Sequence, residues 1–130
     1  MNYSIAIYGG PYSNQAAHSA LHFAQAALTR GHCISRVFFY HDGIYNGSAL
    51  VSPPQDEANV PAQWHTLAKE NDIELVVCIA AAVRRGLLDE KEAKRYSRAS
   101  HNIAEGVSLS GLGQLIDAGL TSHKLITFGL

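Results

Sequence analysis

Charge is scarce in this chain: 16% of its 130 residues are Asp, Glu, Lys or Arg, where about 25% is typical. A small domain has much surface for its volume, so the shortage must show outside, and it predicts that partner subunits cover part of that surface. Nor is there an excess of either sign. Ten Lys and Arg stand against eleven Asp and Glu, a formal net charge of −1. Such a balance leaves no surplus cations to displace counterions from a phosphate backbone, which argues against direct nucleic-acid binding. Long apolar runs are missing too. The longest, Leu75 to Val83, has nine residues, and a bilayer-spanning helix needs about 20, so no membrane span is expected. The N-terminal Met1-Asn2-Tyr3-Ser4 lacks the basic start of a secretory signal. With only Cys33 and Cys78, and no CxxC, there is no disulfide framework, and free thiols in a reducing cytoplasm are the expectation. HxH, HExxH and Cys/His clusters are likewise absent, so no metal is expected.

What is present is 47% hydrophobic residues, enough for a packed core without staples. Tyr3 to Tyr8 reads as a strand broken by Gly9-Gly10-Pro11. Ala20, Phe23, Ala24, Ala27 and Leu28 then follow a helical period, with Ser13 as N-cap and Gly31 just past the end. Cys33 to Tyr40 is a second strand. Strand, helix, strand implies a crossover and two parallel strands. His41 to Val60 carries Gly43, Gly47 and Pro53-Pro54 and reads as a long irregular stretch. A helix opening at Pro61 turns Trp64 toward the core. The apolar Glu74 to Cys78 suits a strand covered on both faces, and Ile79 to Arg85 a helical turn or two. Asp89 with Glu92 predicts a capped helix to about Ala99. Gly106 to Leu109 is a fourth strand, Ser110 caps a helix to about Gly119, and Lys124 to Phe128 is the last strand. The expectation is one α/β domain over residues 1–130, three-layer α/β/α, with a mostly parallel sheet of about five strands.

In such sheets the chemistry gathers beyond the carboxyl ends of the strands. Those ends carry Gly9, Gly10, Tyr12 and Ser13, then His41, Asp42 and Tyr45, then Cys78. Cys78 is placed as a nucleophile: the first amides of the following segment and the cations Arg84 and Arg85 would favour its thiolate. The same position also suits a small apolar side chain closing a strand. His41 and Asp42 would lie beside it as acid/base or anion contacts, or as ordinary loop residues. Cys33, at a strand start, belongs to the opposite edge and reads as structural. His18 and His22 share a helix face but lack a third ligand. Ser110-Gly111-Leu112-Gly113 and Gly9-Gly10 lack the full phosphate-loop and dinucleotide fingerprints. Gly111 and Gly113 read instead as close packing of a helix on the sheet.

Three segments in register, Val37 to Asn46, Cys78 to Gly86 and Ser108 to Gly113, resemble the DsrE family over essentially the whole chain, and within it the sulfurtransferase subunits of a sulfur relay. That resemblance implies a cytoplasmic sulfurtransferase whose Cys78 accepts sulfur as a persulfide from a TusA-like donor. The sulfur would pass to a TusE-like acceptor, for 2-thiouridine at the wobble position of tRNA. It also implies a heterohexamer, two copies each of this chain and of TusB-like and TusC-like paralogues, with no cofactor. A DsrE-like subunit in sulfur oxidation, a non-catalytic assembly subunit of this fold and a small flavin or nucleotide binder are the competing readings.

Overall fold

The computed structural model describes residues 1–129. Five strands form one sheet in the order β4-β3-β2-β1-β5, and every pairing in it is parallel. They are β1 (Asn2–Ile7), β2 (Cys33–Phe39), β3 (Glu74–Cys78), β4 (Val107–Ser110) and β5 (Lys124–Phe128). Because all five point the same way, their carboxyl ends share one edge. The apolar carboxyl halves of β1 and β2 and the apolar run of β3 suit strands covered on both faces; Ile5, Ile7, Val37, Phe38, Phe39, Val76 and Val77 are fully buried.

Helices α1 (Ala16–Thr29) and α2 (Val60–Asn71) pack together on one face. There the buried Trp64 of α2 meets Phe39 edge to face, with centroids 6.0 Å apart. Side chains alternate across a strand, so Arg36 projects from the other face, where it donates to the Gln114 carbonyl of α5 (Gly113–Thr121). These are the expected three layers. Short helices α3 (Ile79–Arg84) and α4 (Glu90–Arg95) complete the chain.

Local chemistry explains most boundaries. Asn59 caps α2 by accepting from the Ala62 amide, and Asp89 caps α4 by accepting from Glu92. Gly31, at φ +86°, sits just past α1 as anticipated. Four expectations need correction. Ser13 caps nothing: α1 starts later, where the Asn14 side chain accepts from the Ala16 amide. Nor does Ser110 cap α5; it is the last residue of β4, paired in register with Cys78. Helix α4 ends at Arg95, not near Ala99. The Arg98 amide bonds back to Ala93 O and the Ser97 amide to Lys94 O, with Ser97 itself at φ +56°. This is the left-handed stop usually made by glycine. Finally, Gly111 and Gly113 are exposed, with open space where a Cβ would be, so they serve no close packing.

Candidate functional site at the carboxyl edge

Strands β1, β2 and β3 are neighbours, so the segments following them meet. The largest departure from expectation lies here. The first third of the stretch read as irregular is a 3-10 segment, His41–Gly47, with Gly43, Ile44, Asn46 and Gly47 buried. It lies on the sheet's carboxyl edge, against β3 and α3. Two glycines permit the approach. A Cβ at Gly43 would overlap the Ile7 carbonyl oxygen, and one at Gly47 would press on the Val77 side chain. Asn46 fastens the segment from within, its Nδ2 donating to Gly43 O at 2.9 Å and Gly9 O at 3.3 Å. Tyr8 and Tyr40, at the ends of β1 and β2, meet edge to face at 5.4 Å.

Cys78 ends β3 and is the N-cap residue of α3, with φ −62° and ψ 119°. Its Sγ makes no capping hydrogen bond, so the expected amide support is one of proximity only. The thiol is also covered. Cys78 is 2% exposed and belongs to the core, against the expectation of a nucleophile open at the rim.

The supporting residues divide. Arg85 is committed elsewhere: its Nε donates to Asp42 Oδ1 at 2.8 Å and its Nη1 to Ala81 O. It therefore ties α3 to the 3-10 segment instead of facing the thiol as a free cation. His41 is exposed at φ +53°, with Nδ1 4.0 Å from the same Asp42 oxygen. Arg84 is exposed and turns into a separate cleft beside α4. So His41, Asp42 and Arg85 gather over the edge, while Arg84 stands apart. The sequence reading missed Asn46 and Ser110 as neighbours of this edge. The Gly43-x-x-Asn46-Gly47 spacing was the available signal for the first. Only strand register reveals the second.

Cys33 is exposed at the opposite edge. His18 lies beside Tyr12, at 6.4 Å between rings, and His22 is exposed. Among the described residues no three His, Cys, Asp or Glu side chains gather as metal ligands. No helix among them is long and apolar enough to cross a membrane.

Residues 1–128 match the DsrE/DsrF-like family. The chain is 47% identical to the sulfurtransferase TusD homolog of Pseudomonas aeruginosa, covering 99% of this chain and 98% of that protein. It is 44% identical to the sulfurtransferase TusD of an Enterobacter strain, over 98% of this chain and all of that one. It is 46% identical to the DsrE protein of Allochromatium vinosum, assigned as a sulfurtransferase, over 99% of both. Among solved structures, the YchN protein of E. coli superposes with a TM-score of 0.74 at 20% identity, covering 98% of this chain and all of that one; at this identity the likeness is one of fold.

Proposed function

The chain belongs to the DsrE/DsrF-like family and is a sulfurtransferase, and we propose that Cys78 is the residue that carries the sulfur. The observation behind this reading is positional. Cys78 is the thiol at the carboxyl edge, where β3 gives way to α3, and the Asp42–Arg85 pair ties the far end of α3 to the 3-10 segment.

The chemistry is a redox-neutral exchange of S–S bonds. The Cys78 thiol gives its proton to solvent. The thiolate attacks the outer sulfur of a donor persulfide; the donor's S–S bond breaks, its thiolate leaves and takes up a proton, and a new S–S bond forms on Cys78. An acceptor thiolate then attacks that outer sulfur, and Cys78 is the leaving group. One cysteine suffices. Because the thiol is 2% exposed, each exchange needs its cover to yield. The 3-10 segment, which packs on both β3 and α3, is the cover we propose.

The finer reading is a cytoplasmic subunit acting with TusB-like and TusC-like paralogues in a heterohexamer. It would receive sulfur from a TusA-like donor and deliver it to a TusE-like acceptor for wobble-uridine thiolation of tRNA. The identities to TusD proteins support it. The 46% identity to the DsrE protein favours, almost equally, a trafficking subunit with other partners in sulfur oxidation; the subunits that co-purify with the chain distinguish the two. The test of the chemistry is uptake of labelled sulfur from a persulfidated TusA-like carrier. Cys33→Ser retains it and Cys78→Ser loses it. Equal uptake by Cys78→Ser and the unaltered protein removes the proposal.

A further inference from the structure

The near-neutral total conceals a segregation of charge. Between residues 84 and 98 stand six of the ten Lys and Arg side chains, with only three carboxylates. That short stretch carries a formal +3, and the rest of the chain −4. Three of the six are neutralised locally: Arg85 by Asp42, Lys94 by Glu90 and Arg95 by Glu92. Among the described residues, Arg84 and Arg98 have no carboxylate within 4.0 Å, and both line one cleft of about 770 Å³ together with His101. Leu50, Val83 and Tyr96 supply its apolar walls.

The cleft is a built feature. Asn102 accepts from the Leu88 amide at 2.9 Å and donates to Gly86 O at 3.0 Å, and the Ala49 amide donates to Asn102 O at 2.7 Å. Three stretches of chain are thereby held in one frame. The left-handed turn at Ser97 that ends α4 leads the chain directly into Arg98. Arg84 is the last residue of α3, whose N-cap is Cys78. Six residues of helix span about 9 Å, which two or three residues of extended chain cover.

We propose that this cleft docks an acidic peptide segment, mixed with apolar residues, of the protein that exchanges sulfur with Cys78. Two unpaired guanidinium groups are suited to carboxylates, which they bind in a fork geometry. The apolar walls are suited to side chains between those carboxylates. A nucleic-acid strand is the poorer fit: the chain outside this stretch is acidic and would repel a long polyanion, and the cleft offers one tyrosine ring and one imidazole for base stacking. The role of the docked segment rests on the relay reading above; the binding itself does not.

The test is fluorescence anisotropy of the full chain with two probes, a short labelled peptide alternating Glu and Leu and a labelled oligouridylate. The peptide binds, more weakly as salt rises. Arg84→Ala and Arg98→Ala each weaken it about tenfold, the scale of one charge-assisted hydrogen bond. Arg95→Ala, in the same basic stretch but paired with Glu92, leaves it unchanged. Both cleft arginines are exposed, and unchanged circular dichroism confirms folding. Cys78→Ser binds the peptide normally, so failure of the sulfur chemistry and failure of the docking site are separate outcomes. No peptide binding, binding insensitive to both arginines, or preference for the oligouridylate overturns the proposal.

Discussion

The two cysteines occupy opposite edges of one sheet and opposite environments. Cys33 opens β2 at the amino edge and is exposed; Cys78 closes β3 at the carboxyl edge and is buried. The amino edge is fastened by static polar contacts. Arg36 of β2 bridges Glu74 at 2.8 Å and Asp117 at 3.0 Å, joining β3 and α5. Burial alone would lower the Arg36 pKa, but the hydrogen bonds and charges of these carboxylates outweigh it and the pKa is raised. The carboxyl edge is instead overlaid by a separate segment, seated on glycines and held by the buried Asn46 and by the Asp42–Arg85 ion pair. Exposure therefore does not single out the proposed carrier: Cys78 is buried and Cys33 is exposed, and the proposal rests on the 3-10 segment yielding.

That contrast can be broken by substitution. Gly43→Ala should have the largest effect, because the new methyl would collide with the Ile7 carbonyl. About 3 kcal/mol of stability in urea titrations is the expected loss, with faster alkylation of Cys78 and no change at Cys33. Arg36→Ala should cost about 1–2 kcal/mol through its hydrogen bonds to two largely exposed carboxylates, and leave Cys78 as protected as before. Equal acceleration of Cys78 alkylation by both variants would mean that the edges are not independent. Arg85→Ala removes the clasp. An exposed pair contributes at most about 1 kcal/mol, so Cys78 alkylation should rise up to about fivefold, the factor that energy gives in a local opening equilibrium. No rise would show that the 3-10 segment is not the cover.

The smallest effect concerns acid. His65, in a cleft shared with Lys69 and Glu105 at the amino edge, has its pKa lowered by burial, and its Nε2 has no hydrogen-bond partner. The unfolded state therefore binds the proton more readily. The stabilisation is complete above the unfolded value of about 6.5 and is lost as pH falls through the lower folded value. Thermal melts between neutral and mildly acidic pH should show that loss, and His65→Gln should reduce it.

The fold was legible wherever one local rule sufficed. The strand-helix-strand order marks β1 and β2 as parallel, the apolar run of β3 marks a covered strand, Asp89 and Gly31 mark helix ends, and Trp64 falls on the inner face of α2. It was illegible where tertiary contact overrides local pattern. The residues from His41 to Gly47 look like loop because glycine, asparagine and aspartate favour turns; only the proximity of β1 and β3 explains a buried 3-10 segment there. Ser97 ends α4 in a conformation that its residue type does not announce. The candidate cysteine was legible from its place at a strand end, and its cover was not. The pairing of Arg85 with Asp42, 43 residues away in the chain, has no sequence signature, so two adjacent arginines read alike and the structure separates them.

Peptide mapping by mass spectrometry, before and after a chase with an acceptor thiol protein, addresses the carrier directly. After loading from a persulfidated donor protein, the peptide containing the covered Cys78 should carry one additional sulfur atom, and the chase should move that atom to the acceptor. Transferable sulfur found on the peptide of the exposed Cys33, with Cys78 unmodified throughout, would contradict the account.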